Sequence, residues 1–145
     1  MTRKERAIEL FQKQFNCSQS VFTAYRQHAV LDEANALKLS TICGAGVACT
    51  GKGSCGAVSG ALMAISMQHG RGDLESTAAK GKTYLPGQQL LAQFIERMGA
   101  SDCEAILGIN IGTPENMAKA KDQKLFETRC VEAVKTACEI LDHIL

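Results

Sequence analysis

The sequence predicts an all-α fold, a single-domain helical bundle of about five to seven helices around a central loop rich in glycine and cysteine. Apolar residues recur at intervals of three and four residues through most of the chain, and no segment shows the period-two alternation of a half-buried strand. With no Trp, two Tyr and five Phe, the core must come mainly from Leu, Ile, Val, Ala and Met, which suits close-packed helices. A chain of 145 residues can bury such a core without disulfides.

Three helices are predicted in the N-terminal part of the chain. Residues 3–15 place apolar side chains on one side at helical spacing, with charged residues elsewhere. Asn16 ends this helix and can cap a second helix, which Cys17 would open. Asp32 is a suitable N-cap for a short third helix that ends near Leu39.

The central stretch, residues 42–70, organises the rest of the prediction. Its glycine-dense loop carries Cys43, Cys49 and Cys55, and Ser54 can cap the helix that follows. In the first turn of that helix, the Cys55 thiol would be exposed to the positive end of the helix dipole and to unpaired N–H groups. Both effects favour the thiolate, so Cys55 is the candidate catalytic cysteine.

Two glycines lie inside this central helix, which is predicted to run from residue 55 to about residue 68. Gly56 and Gly60 are four residues apart and therefore lie on one face. Because a glycine inside a helix costs roughly 1 kcal/mol relative to alanine, two of them predict that another element or a cofactor approaches the backbone closely.

The C-terminal half contains further helix signals. Residues 71–83 are polar and predict either a loop or the start of a helix, whereas residues 87–98 carry a strong apolar stripe that stops at Gly99. Ser101 and Glu104 have the spacing of a capping box around Cys103. Thr113 and Pro114 then start a short helix, because proline is favoured at the first helical position.

The last helix is predicted from residue 128 to residue 145. Thr128 can cap it, and Cys130 would lie at its start. Cys138 continues the apolar stripe of this helix and is therefore expected to be a small core residue.

Composition excludes several classes of partner. The formal net charge is +1, and the 16 basic residues are scattered among 15 acidic ones, so nucleic acid is not an expected partner. No stretch approaches the roughly 20 apolar residues of a membrane span, so no membrane insertion is expected. The charged N-terminus lacks the apolar segment of a signal peptide, and a cytoplasmic location is the expectation.

Seven cysteines are many for a chain of this kind, and an odd number does not fit a closed set of disulfides. In a reducing compartment such enrichment indicates metal ligation or redox chemistry. Four cysteines share one predicted setting, in or next to the first turn of a helix: Cys17, Cys55, Cys103 and Cys130. Four converging helix N-termini would suit an anionic iron–sulfur cluster or reactive thiols of lowered pKa, and the residues alone leave both open.

Other cofactor motifs are incomplete. Residues 46–53 approach a P-loop, but Gly53 stands where Ser or Thr should bind magnesium, and no strand precedes them. The chain has no Cys-x-x-Cys-His motif, so no c-type haem is expected, and it has no Cys-x-x-Cys zinc knuckle. The three histidines, His28, His69 and His143, are far apart and are expected to be surface or capping residues.

The cysteine pattern resembles that of the C-GCAxxG-C-C family of redox-active proteins. The similarity is carried by residues 15–21, by residues 55–64 in the form Cys-Gly-Ala-x-x-Gly, and by Cys103 and Cys130. The family name has Gly-Cys-Ala at the centre, whereas this chain has Cys-Gly-Ala after Ser54. Cys43, Cys49 and Cys138 lie outside the pattern, so the resemblance assigns them no role.

Related sequence occurs in split-Soret cytochromes, where a similar cysteine-bearing domain is associated with an iron–sulfur cluster and with dimerisation. The resemblance therefore implies a helical redox protein in which four cysteines are candidate ligands of a cluster, 2Fe-2S being the candidate form: Cys17, Cys55, Cys103 and Cys130. It also permits a homodimer. The haem motif of those cytochromes is absent, so haem chemistry is not implied here.

Three hypotheses follow. The first is a small electron-transfer protein whose four cysteines bind an iron–sulfur cluster, with a redox partner protein that the sequence does not identify. The second is a metal-free thiol–disulfide protein in which Cys55 pairs with another family cysteine or with Cys49. The third is a structural or metal-storage helical module whose cysteines bind zinc or copper.

Overall fold

The computed structural model describes residues 1–145 and confirms the all-α fold, with 68% helix and no strand. It has eight α-helices, slightly more than the five to seven predicted. They are α1 (Arg3–Gln12), α2 (Cys17–Tyr25), α3 (Glu33–Ser40), α4 (Gly56–His69), α5 (Ala79–Met98), α6 (Cys103–Leu107), α7 (Pro114–Asp122) and α8 (Val131–Ile144). A 3-10 turn at Thr41–Cys43 follows α3, and a π turn at Phe126–Cys130 leads directly into α8. No helix is both long enough and apolar enough to span a membrane.

Helices α2 and α4 form the central pair of the bundle. α1 and α3 pack against α2, α5 and α8 pack against α4, and α8 also contacts α1. α4 contains no Asp, Glu, Lys or Arg, as expected for a helix surrounded by other elements. The largest fully buried side chains of this main core include Val21, Val58, Ile65, Phe94 and Leu141.

A second, smaller cluster of buried residues lies under α6, α7 and the π turn. Its members are Cys103, Leu107, Ile111, Ala120 and Cys130. Phe11 and Cys17 pack against both this cluster and the main core. The candidate site described below lies at this junction.

Two glycines set the contact between α2 and α4. A Cβ atom at Gly60 would lie 2.7 Å from the backbone oxygen of Ser18, and one at Gly56 would lie 2.9 Å from the backbone nitrogen of Ser18. The Gly56 position would also be 3.1 Å from Cys17 Cβ. The prediction of a close approach at these glycines is confirmed, and the approaching element is α2.

Several predicted helix starts are confirmed. Asn16 caps α2 in a reciprocal arrangement with Gln19, each side chain accepting a hydrogen bond from the other residue's backbone N–H. The Asp32 carboxylate accepts a hydrogen bond from the N–H of Asn35 at 2.8 Å at the start of α3. Thr113 caps α7, with Pro114 at its first position.

The predicted caps of α4 and α6 are wrong by one residue. Cys55, not Ser54, is the N-cap residue of α4, because Ser54 is held in an isolated backbone bridge with Asp102. Asp102, not Ser101, caps α6, and its carboxylate accepts a hydrogen bond from the N–H of Ala105 at 3.0 Å.

The start of the last helix is also corrected. Thr128 does not cap it but lies within the π turn, where its hydroxyl donates to the carbonyl oxygen of Lys124 at 2.9 Å. Cys130 is the last residue of that turn and the N-cap residue of α8, but its side chain forms no capping hydrogen bond.

Two other boundaries differ from the prediction. α1 ends at Gln12 because Gln14 adopts a left-handed conformation with φ of 75°. α5 begins at Ala79 rather than at residue 87, with Pro86 inside it. Proline removes one helical hydrogen bond, but this part of α5 is largely exposed, so water can bond to the freed carbonyl.

The glycine contact yields a paired stability prediction. Gly60→Ala should lower the free energy of unfolding by about 1–3 kcal/mol, because its Cβ would meet backbone that can move only if α2 and α4 separate. Gly81→Ala is the matched control, since a Cβ at Gly81 in α5 meets nothing within 4 Å. It should instead stabilise the protein by about 0.5–1 kcal/mol through helix propensity. Chemical denaturation of both variants measures the two changes, and equal changes of the same sign would contradict the proposed packing.

Candidate functional site

A cavity of about 130 Å³ lies at the junction of the two buried clusters. Apolar side chains such as Phe11, Ile106, Leu107, Ile111 and Phe126 form much of its wall. Its lining also includes four thiols, those of Cys17, Cys55, Cys103 and Cys130. The structure thus brings together the four cysteines that share the predicted setting, although they come from four distant segments of the chain.

Cys17 and Cys55 are neighbours because α2 and α4 meet at their first turns. Cys17 is the first residue of α2, and Cys55 is the N-cap residue of α4. Gly56 allows the two turns to touch, as described above. Gly44 allows the 3-10 turn to lie close to the start of α2, since a Cβ at Gly44 would collide with the side chain of Asn16, the cap of α2.

A two-residue backbone bridge holds Cys55 beside Cys103. The N–H of Cys55 donates to the carbonyl of Ser101 at 2.8 Å, and the N–H of Cys103 donates to the carbonyl of Gly53 at 3.0 Å. The bridge joins the loop before α4 to the loop before α6. It was not predicted, because so short a pairing has no periodicity to detect.

Cys130 reaches the cavity from the π turn. Next to it, the Arg129 guanidinium donates to the carbonyl of Ile106 at 3.1 Å and to the carboxylate of Glu132 at 2.9 Å, which ties the π turn to α6 and α8. All four cysteines therefore lie in or next to the first turn of a helix, as predicted, but Cys130 follows a π turn instead of a loop. π turns are rare and occur frequently at functional sites.

The loop over the cavity has an unusual backbone. Five successive residues, Ala45, Gly46, Val47, Ala48 and Cys49, have φ between 53° and 71°. Each non-glycine residue in the left-handed region costs roughly 1–2 kcal/mol, so the surrounding structure must hold this turn. The hydroxyl of Thr50 does so in part, since it donates to the carbonyls of Gly46 and Val47, each at 2.8 Å.

The first three N–H groups of this turn have no acceptor within the chain. The N–H groups of Ala45, Gly46 and Val47 form no hydrogen bond with backbone or side chain, and Gly46 is buried in the cavity wall. A Cβ at Gly46 would lie 2.9 Å from Cys103 Cβ. Buried backbone N–H groups are nearly always paired, so the N–H of Gly46 indicates an acceptor inside the cavity, whereas the N–H of the exposed Val47 can bond to water.

Burial is the main cause of the raised pKa of two of the thiols. It raises the pKa of Cys55 to about 11, although the N–H groups of Ala57 and Val58 act in the opposite direction. Burial likewise raises the pKa of Cys103 to about 12, with further contributions from neighbouring cysteines. The predicted Cys55 thiolate is therefore disfavoured, because desolvation outweighs the helix N-terminus. A bound metal cation would reverse this balance, since a coordinating thiol is deprotonated.

Cys17 and Cys130 behave as a coupled pair. Their thiol–thiolate interaction raises the pKa of Cys17 and lowers the pKa of Cys130, and the Arg129 charge also lowers the pKa of Cys130. Loss of the first proton from the pair is thus favoured, and loss of the second is opposed.

The other three cysteines do not line the cavity. Cys43 is half-buried and Cys49 is exposed in the covering loop. Cys138 is completely buried in α8, as predicted for a core residue.

The four thiols do not form a site for a single ion. No three His, Cys, Asp or Glu side chains of the chain are grouped closely enough to hold one metal ion. A tetrahedral zinc site with bonds of about 2.3 Å requires sulfurs within about 4 Å of one another. The cysteine side chains as placed therefore do not form a tetrahedral site for one zinc ion.

Comparison with known proteins gives one match. No curated protein and no solved structure matches the chain. The model of one protein family, described as "Putative redox-active protein (C_GCAxxG_C_C)", matches residues 15–144 and so covers all four cysteines of the cavity. The chain belongs to this C_GCAxxG_C_C family of redox-active proteins.

Proposed function

We propose that this protein transfers electrons through an iron–sulfur cluster held by Cys17, Cys55, Cys103 and Cys130. The observation that carries the proposal is that four thiols from distant segments line one cavity. Four cysteine thiolates are the usual ligand set of iron–sulfur clusters. Membership of a redox-active family supports the same conclusion.

The size of the cavity favours an inorganic group. Pockets for drug-sized organic ligands measure roughly 300–1,000 Å³, whereas this cavity measures about 130 Å³. A cluster also spreads its ligands over more than one iron, so it does not require the tight grouping that a single ion would need. A cluster can therefore be ligated by sulfurs that lie farther apart than the ligands of one ion.

The polar groups around the cavity suit an anionic occupant. A cluster ligated by four thiolates carries net negative charge, and burial makes that charge costly unless donors face it. Ala45 and Gly46 line the cavity and have unpaired N–H groups that are suitable donors, and the Arg129 guanidinium lies next to Cys130. Hydrogen bonds to cluster sulfurs and local charge also set the reduction potential.

The chain would hold the group, shield it from water and adjust its potential. A bound cluster supplies one-electron storage. Cys55 and Cys103 are held by the backbone bridge, and the side chains of Phe11, Ile111 and Phe126 keep water from the cavity wall. In this proposal Cys55 is a ligand rather than a nucleophile.

Iron and acid-labile sulfide measured on protein purified without oxygen test the proposal. We expect both in stoichiometric amounts, and we expect Cys17→Ser, Cys55→Ser, Cys103→Ser and Cys130→Ser each to lose most of the iron. Cys43→Ser is the control, because Cys43 does not line the cavity, and it should retain the cluster. Protein without iron, or four serine variants with unchanged iron, would refute the cluster.

One observation favours a second candidate function, a metal-free thiol–disulfide exchange. The Cys17 and Cys130 thiols are hydrogen-bonded to each other, and this contact together with the Arg129 charge lowers the pKa of Cys130. The two thiols would give two electrons and two protons to the disulfide of a partner protein and form a Cys17–Cys130 disulfide. Cys55 is less suited to this attack, because burial raises its pKa.

Disulfide mapping of iron-free protein tests the second candidate. After mild oxidation with oxidised glutathione, differential alkylation and mass spectrometry should find a Cys17–Cys130 disulfide, and Cys130→Ser should abolish it. A first disulfide that involves Cys55 would instead support the pairing expected from the sequence, and no intramolecular disulfide would rule out the exchange function.

A further inference from the structure

A second cavity, of about 250 Å³, lies between α1 and the segments that follow α2 and precede α3. Three arginines line it, together with one histidine and one glutamate: Arg3, Arg6, Arg26, His28 and Glu33. It shares no lining residue with the cysteine cavity. The two cavities lie at opposite ends of α2, whose nine residues span roughly 13 Å.

Arg26 is the buried member of this group. Only 8% of its surface is exposed, yet none of its hydrogen-bond partners is a carboxylate. Its Nε donates to the carbonyl of Leu31 at 2.8 Å and its Nη1 donates to the carbonyl of Thr23. Those bonds fix the end of α2, but Nη2 donates to no group of the chain. A buried cation normally pairs with an anion, and this donor, which is not sealed from solvent, is available to one in the cavity.

Arg6 is fixed in place by two acids. It donates to Glu9 at 2.6 Å through Nη1 and to Glu33 at 2.7 Å through Nη2. Glu33 is the one carboxylate in the cavity lining and is bonded to Arg6, and no carboxylate bonds to Arg26.

Arg3 is held more loosely. Its guanidinium lies 4.6 Å from the centre of the Tyr25 ring, and its closest carboxylate contact is 3.5 Å, with Asp142. Arg3 therefore keeps donors available. Thr2 and Arg3 also bring the N-terminus of α1, the positive end of its dipole, to the cavity.

We propose that this arginine-lined cavity binds a tetrahedral oxyanion, either phosphate or a phosphate monoester. Arg6 and Arg26 are held by their own contacts, so little ordering of these two side chains is required when the anion binds. A planar carboxylate offers one bidentate edge, whereas a phosphate offers several, which suits guanidinium groups that approach from different elements. The excess positive charge also favours an anion that carries more than one negative charge.

Titration of the full-length protein, purified without oxygen, with inorganic phosphate tests the proposal. ¹H–¹⁵N NMR of the arginine Nε–H groups should show saturable shifts of the Arg26 and Arg3 signals and none of the Arg97 signal. Arg3→Gln should weaken binding by roughly tenfold, the loss of one charge-assisted contact. Arg97→Gln is the matched control, since Arg97 is also a surface arginine paired with an acid, Glu139, but lies outside the cavity.

Different results would contradict the existence of the site and the type of anion that it binds. The absence of saturable shifts in the wild-type protein, or equal weakening by Arg3→Gln and Arg97→Gln, would overturn the site. Acetate bound as tightly as phosphate at the same ionic strength would overturn the assignment to a tetrahedral anion. Because Arg26 also fixes the end of α2, Arg3→Gln rather than an Arg26 variant carries the test. The result is independent of the iron content of the protein.

Discussion

The backbones of α2 and α4 touch at Gly56 and Gly60, and the position of every cavity cysteine depends on that contact. Because both helices begin at the same end of the bundle, their close approach places Cys17 beside Cys55. The bridge before α6 then brings Cys103 to Cys55, and the π turn brings Cys130 to Cys17. A side chain at Gly56 would separate the first turns of the helices and open the cavity. The two glycines of the Cys-Gly-Ala-x-x-Gly motif therefore allow the close packing of α2 and α4 that places Cys55 beside Cys17.

The thiol form of this site carries several unfavourable features. Burial raises the pKa of Cys55 and Cys103, a run of left-handed residues covers the cavity, and the buried N–H of Gly46 has no acceptor. Sites held in strained conformations are typical of functional regions. A group that contains metal cations and sulfur acceptors would deprotonate the thiols and pair with the N–H donors. Its binding would therefore stabilise the folded state, since a ligand that binds only the native protein shifts the folding equilibrium.

Much of the fold was predictable because helices leave strong local signals. The caps at Asn16, Asp32 and Thr113 follow from side-chain chemistry, and the glycines of α4 indicated a close contact. The shared helix-start setting of the four cysteines suggested one site without showing that they meet, and the structure places all four in the lining of one cavity. The π turn at Cys130, the backbone bridge and the left-handed turn were not predictable. Each is fixed by tertiary contacts, and Ala, Val and Cys have no intrinsic preference for a left-handed conformation. The pKa of Cys55 was also predicted in the wrong direction, because the sequence shows helix starts but not depth of burial.

Anomalous diffraction at the iron absorption edge, from crystals grown without oxygen, is the most direct test of the central claim. If the four cysteines hold a cluster, we expect anomalous density for more than one iron inside the cavity, bonded to the sulfurs of Cys17, Cys55, Cys103 and Cys130. Iron bound elsewhere, for example by Cys43 and Cys49, or a cavity that contains no iron in protein never exposed to oxygen, would contradict it.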